Sequence, residues 1–183
     1  SSQGTFSTRL SDGSFIITPY AKDRKYLEVD DIVRIEGNKK EAGKLPSRSV
    51  LLHKKIYEKH PHINSVIIAH PPSIMAFAVT GAEFDSRTIP ESYILLRNIP
   101  KLPFGSSFMQ PGMAADIFTE SNPIAIVEND CVIVTGNTLL NAFDRLEVLE
   151  YSAKALIYST NLGPVVKIDD EKIRDIERAF KLP

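Results

Sequence analysis

His70 is the side chain of this sequence best placed to do chemistry. It lies in the run Ile63 to Ala78, INSVIIAHPPSIMAFA, in which Val66, Ile67 and Ile68 lead to Ala69-His70, two prolines break the run, and an Ala/Ile/Met/Phe segment follows. That order predicts a buried strand stopping at a histidine, a tight corner and a packed helix. In layered α/β proteins such strand ends are where side chains leave the core and line a cleft, and an imidazole there can transfer a proton or hold a metal. The alternative for the same position is a strand-end histidine tied to nearby backbone. His60 and His62, in the His-Pro-His turn at a helix end, are ligand candidates by residue type, with plain surface residues as the other reading.

The elements that must position His70 follow from pattern. Ser11-Asp12-Gly13 is a turn between Thr5–Leu10 and Ser14–Thr18, a β-hairpin that Pro19 ends, and Ile32-Val33-Arg34-Ile35 alternates as a strand before the turn Glu36-Gly37-Asn38-Lys39. Ser47 reads as the N-cap of a helix running to about His60, with Val50, Leu51, His53, Lys54 and Tyr57 near helical spacing. From Glu83 to Gly112, four prolines punctuate short apolar pieces of which only Tyr93–Leu96 resembles regular structure, and a loop-rich segment of this length is expected to be functional or interfacial; a short helix follows around Met113–Phe118. Ile124–Val127 and Val132–Val134 make two further strands, Asn137 caps a long helix from Leu139 to about Asn161, and Ile173, Ile176 and Phe180 share one side of a final helix. Strands in the middle with helices around them predict a three-layer α/β/α domain with a mainly antiparallel or mixed central sheet.

Composition bounds the function. At 183 residues and 43% hydrophobic the chain suits one domain, 1–183, with a single core. Twenty-two basic against 23 acidic residues give a net charge of -1, which implies neither a nucleic-acid nor a membrane partner. The lone Cys131 cannot form an internal disulfide and excludes a cysteine-based zinc cluster. No run approaches bilayer-spanning length and no signal core opens the chain, so a cytoplasmic protein is expected. The opening SSQGTFSTRL reads as the inside of a folded unit, which suggests an upstream segment.

Together these segments resemble the class II aldolase/adducin family, over nearly the whole chain after a first helix that is absent from it. Gly4-Thr5-Phe6-Ser7-Thr8-Arg9 is similar to the family's Gly-Asn-x-Ser-x-Arg loop, and Phe15–Pro19 to its strand ending in Thr-Pro. Pro46-Ser47 through His53 and Tyr57 resembles its Pro-Ser-Ser-Glu helix start; Ile68-Ala69-His70-Pro71 falls on its His-x-His-Ser, and Asn129-Asp130-Cys131 on its Asn-His-Gly. The resemblance implies three metal-binding histidines and an acid/base glutamate, but those positions hold Ile68, His70, Asp130 and Ser49. Phe104 falls near a tyrosine that some members use as a proton donor. The resemblance also implies a phosphate site, which here would comprise Gly4, Thr5, Thr18, Ser47 and, in place of a second serine, Arg48. Ser47 as a plain N-cap and Arg48 as a solvated first-turn side chain is the alternative.

Zinc in Lewis-acid work needs three protein ligands, and His70 with Asp130 supplies two. Without a metal the developing oxyanion of an aldol cleavage loses its main stabiliser, and Ser49 cannot replace a carboxylate base. The resemblance with these departures implies a binding protein that has lost metal-dependent aldol chemistry, a pseudoenzyme with an anion or sugar-phosphate pocket, no resident cofactor and a homo-oligomeric, tetrameric assembly. The alternative is an aldehyde-lyase acting on a phosphorylated ketose, with zinc or another divalent metal completed by a neighbouring subunit. A third, metal-free isomerase or dehydratase, would rest on His70 and Asp130 acting together.

Overall fold

In the computed structural model, which describes residues 2–182, the first half of the chain forms β1 (Thr5–Arg9), β2 (Phe15–Ile17), β3 (Val33–Glu36), β4 (Lys39–Lys40), α1 (Val50–Lys59), β5 (Ser65–Ala69) and α2 (Pro72–Ala78). The second half adds α3 (Pro90–Leu96), β6 (Lys101–Leu102), α4 (Ser106–Met109), α5 (Pro111–Asp116), β7 (Ile124–Val127), β8 (Cys131–Gly136), α6 (Leu139–Ser159) and α7 (Asp170–Phe180). The strands make one sheet in the order β4-β3-β2-β1-β5-β8-β7-β6. Its pairings are antiparallel except β6 with β7, which run parallel, so the sheet is mixed.

Alternation along β5 and β8 explains the three layers. Val66 and Ile68 of β5, with Cys131 and Ile133 of β8, join a core packed by Leu52 and Ile56 of α1 and Ala114 and Ala115 of α5. Ile67, Val132 and Val134 point the other way, onto Ile74 and Phe77 of α2, Leu96 of α3, and Val148 and Leu149 of α6. Strands covered on both faces read as unbroken apolar runs, which is the form of SVIIA and IAIV in the sequence. The outermost strands are short: β4 is two exposed lysines, and β6 carries Lys101, whose Nζ donates to the carbonyls of Phe77, Thr80 and Ala82. No described helix is long and apolar enough to cross a membrane.

Three local expectations are corrected. Helix α1 begins at Val50 with Ser49, not Ser47, in the N-cap position; Ser47 belongs to the preceding turn, its carbonyl accepting from the Val50 N–H. The N-cap of α6 is Thr138, whose side chain accepts from the Asn141 N–H, rather than Asn137. The proline-rich stretch is more regular than its Tyr93–Leu96 piece alone predicts: it holds α3, β6 and α4, and Pro90 starts α3 and Pro111 starts α5 at the first helical turn, where a missing N–H costs nothing.

Gly136 lets β8 turn directly into α6. A Cβ there would lie 2.7 Å from the Ala142 nitrogen and 2.8 Å from the Thr138 oxygen, both backbone atoms that cannot swing aside. Gly136→Ala should therefore cost about 1–3 kcal/mol through overpacking. Urea unfolding checks this; a cost below about 0.5 kcal/mol, the usual range for a surface change, would show that the start of α6 gives way freely.

Candidate functional site

A cleft of about 650 Å³ opens where β5 ends, β1 and β8 begin, and α1 presents its N-terminus. Gly4, Thr5, Ser47, Arg48, Ser49, Ile68, His70 and Asp130 all line it, with Ser107 and Phe108 of α4 across from them. Strand register accounts for the convergence. Thr5 pairs with Ile68 and Ala69 with Val132, so His70 and Asp130 leave neighbouring strands at the same edge of the sheet.

One wall is built of hydroxyls. Thr5 Oγ1 lies 2.8 Å from Ser47 Oγ, Ser47 Oγ 3.1 Å from Ser49 Oγ, and Ser49 Oγ donates to Thr5 Oγ1 at 3.2 Å. Hydroxyl protons rotate to suit a partner, and these three stand before the first turn of a ten-residue helix, where backbone N–H groups and the helix dipole favour negative charge. Arg48 is exposed beside them, its guanidinium carbon 5.6 Å from the centre of the Tyr20 ring. Gly4 completes the wall with φ +81°, and a Cβ there would come within 3.2 Å of the Ile68 carbonyl oxygen.

Arg24, which the sequence did not single out, holds that loop. Its Nε and Nη2 both donate to the Gly4 carbonyl at 3.0 and 2.9 Å, while Nη1 donates to the carbonyls of Pro19 and Lys22 at 3.0 and 2.9 Å. Burial pulls its pKa below the usual arginine range, with the Asp23 charge opposing, yet a guanidinium stays charged at any ordinary pH. Arg24 lines the cleft and adds a second positive group to it. Nothing in the polar run Ala21-Lys22-Asp23-Arg24-Lys25 distinguishes it from surface.

The other wall carries His70 and Asp130. His70 is exposed and makes no hydrogen bond to a described residue, so the backbone-tied alternative does not apply. Asp130 accepts from the Ser107 hydroxyl of α4. The Cys131 thiol behind it is buried; that burial first, and the Asp130 charge second, push its pKa up, so it is no thiolate ligand. Ile68, 7% exposed, offers the cleft hydrocarbon. Among the described residues no group of three or more His, Cys, Asp or Glu side chains is arranged to hold a metal ion.

Two buried networks keep these walls in place. Behind the hydroxyls, Ser7 Oγ of β1 lies 2.6 Å from both His53 Nδ1 and the Tyr57 hydroxyl of α1, which locks helix against strand and so Ser47 against Thr5. Burial drives the His53 pKa down to about 3 and raises that of Tyr57. Behind His70, Glu150 of α6 accepts from the Ser73 and Ile74 N–H groups at 3.0–3.1 Å, fixing the start of α2 and the corner that follows the histidine.

Other expected residues lie elsewhere. Thr18 is not among the cleft residues: it is buried and its Oγ1 accepts from the Phe6 N–H at 3.2 Å. Phe104 is 62% exposed, its ring edge-on to Phe108 at 5.8 Å, and Phe108 rather than Phe104 reaches the cleft. His60 and His62 precede β5 whereas His70 follows it, and His60 Nε2 lies 2.6 Å from the Ala115 carbonyl oxygen.

A three-layer α/β/α fold with a polar cleft at the strand ends defines a small-molecule site on an α/β scaffold. Residues 1–157 match the class II aldolase and adducin N-terminal domain, and the chain belongs to that family. It is 25% identical to the 3-oxo-tetronate 4-phosphate decarboxylase of Haemophilus influenzae, over 97% of this chain and 87% of that protein. It is 27% identical to the L-fuculose phosphate aldolase of Methanococcus vannielii, over 78% of each. The crystal structure of YgbL from Escherichia coli superposes with a TM-score of 0.87, covering 96% of this chain and 87% of that one at 21% identity.

Proposed function

We propose that the cleft binds a phosphorylated small molecule and that the chain acts by binding it, without metal-dependent aldol chemistry. The observation that carries this reading is the wall of Thr5, Ser47 and Ser49 hydroxyls at the start of α1, flanked by Arg48 and Arg24. Rotatable hydroxyls, a helix N-terminus and guanidinium groups are the components that bind phosphate oxygens. The relatives named for phosphorylated compounds support the same class of ligand.

The donor set does not fit a resident divalent cation. His70 and Asp130 are two donors where three protein ligands are needed, and Ile68 offers the cleft hydrocarbon rather than a third donor. A homo-oligomer, tetrameric by family resemblance, would cover Phe108, Met109 and Met113, which stand 61–72% exposed beside the cleft. The second reading, a lyase whose ion is completed by a neighbouring subunit, draws on the relatives' names and on His70 and Asp130 opening on the same cleft.

Thermal unfolding separates them. Phosphate or sulfate should raise the melting temperature of the parent, and Arg48→Ala should abolish that rise while leaving the unliganded protein nearly unchanged; an equal rise in both would remove the anion site. Protein purified without added metal should contain none and be indifferent to a chelator. About one zinc per chain with a chelator-induced drop of several degrees, as mass action requires for a tightly bound ion, would establish the lyase reading instead.

A further inference from the structure

A second cavity, of about 370 Å³, lies at the opposite end of the sheet, where β8 runs into α6 beside α3. Arg97, Arg145, His62, Asn137 and Asn141 line it, and Glu120 is the one carboxylate among its described lining residues. Arg145 is the informative group. It makes a single hydrogen bond among the described residues, Nη1 donating to the Thr135 carbonyl at 2.6 Å, while its Nε is buried with no acceptor. No described carboxylate pairs with it, and burial lowers its pKa with no counter-charge opposing. A partly buried guanidinium stays charged, and without a counter-charge that placement is destabilising.

The neighbours reinforce that charge. Arg97, 8% exposed, brings a second guanidinium to the lining, 4.0 Å from Glu177 and 5.5 Å from the centre of the Tyr93 ring. The 21-residue α6 begins at this cavity, so the positive end of its dipole faces the same space. Asn137 and Asn141 supply side-chain amides able to bond a polar ligand body.

We propose that this cavity is a second ligand site, distinct from the cleft, that takes a small molecule bearing an oxyanion, a carboxylate or phosphate group, which supplies the counter-charge Arg145 lacks. The volume suits a small organic acid or phosphate ester and the planar guanidinium suits a two-pronged contact. The proposal stands independently of the cleft reading, because no residue lines both cavities.

The test uses Arg48→Ala protein, in which the cleft is disabled, titrated by calorimetry with inorganic phosphate and separately with malonate. Saturable binding of at least one anion is expected, weakened tenfold or more when Arg145→Met is added. In the parent protein the same anion should shift the backbone amide NMR signals of Thr135, Gly136 and Asn137, a readout that needs no Arg145 variant to fold. A response to malonate alone assigns the ligand to carboxylates, and to phosphate alone, to phosphate esters. Absence of saturable binding by both anions, amide shifts confined to the cleft, or unchanged affinity in Arg145→Met would overturn the proposal. The cleft reading fails separately, through an undiminished anion effect on melting in Arg48→Ala.

Discussion

Acidification from pH 6.5 towards 4.5 should destabilise this protein along a slope that one side chain, His53, largely sets. Its imidazole is fully buried, with Nδ1 2.6 Å from Ser7 Oγ and Nε2 without a partner among the described residues, and burial lowers its pKa from 6.5 to about 3. The unfolded chain takes up a proton on this residue near pH 6.5 while the folded chain does not until about 3. Within that window the unfolded state holds the extra proton, so stability is fully present above 6.5 and falls as the pH drops, by about 1.4 kcal/mol per unit where the two states differ by a whole proton. The accumulated loss reaches several kcal/mol, a large share of the 5–15 kcal/mol typical of a domain. Urea unfolding at pH 7, 5.5 and 4.5 measures it before most carboxylates titrate. His53→Gln should start lower at pH 7, since Ser7 loses the imidazole and keeps Tyr57 as its partner, but decline less steeply. Parallel pH profiles for variant and parent would mean that His53 is not the sensitive group.

Ile68→His should create a metal site where the parent has only two donors. With His70 and Asp130 it brings the set to three, the number zinc requires, at a position that already faces the cleft. The substitution itself should lower stability, because Ile68 packs with Val66 and Ile133 in one core layer. Zinc should then more than restore it. At a hundredfold excess over the dissociation constant, mass action adds about 2.7 kcal/mol, or roughly 5–10 °C for a chain of this length. Asp130→His, which leaves the donor count at two, should gain nothing. An Ile68→His protein that folds yet ignores both zinc and chelator would show that something other than donor number keeps cations out.

The parts of the fold legible in sequence were those with unmixed patterns. Val66-Ile67-Ile68 announced a strand buried on both faces, and the proline corner after His70 announced its end. Prolines 90 and 111 hid where two helices begin, although Tyr93–Leu96 and Met113–Phe118 mark their bodies, because the same residue that breaks a helix interior also begins one. In the site, Gly4, Thr5, Ser47, Arg48, Ser49, His70 and Asp130 come together through strand register, which family resemblance encodes and spacing alone does not. Thr18, expected in the anion site, does not line the cleft: its hydroxyl accepts from the Phe6 N–H. Arg24 was invisible because its partners are main-chain carbonyls, which leave no trace in side-chain type.

The margins of the sheet also bear on how copies of this chain can meet. An unprotected outer strand invites a neighbour to add its own backbone in register, the route to runaway fibres. Here one margin is a two-residue stub of solvated ammonium groups. The other, equally brief, has its lysine chelated by three carbonyls at the end of α2 and the loop beyond it. Neither offers enough ladder to recruit a stranger. Any self-association must therefore be negotiated through helical faces and loop rims, leaving the sheet a closed template.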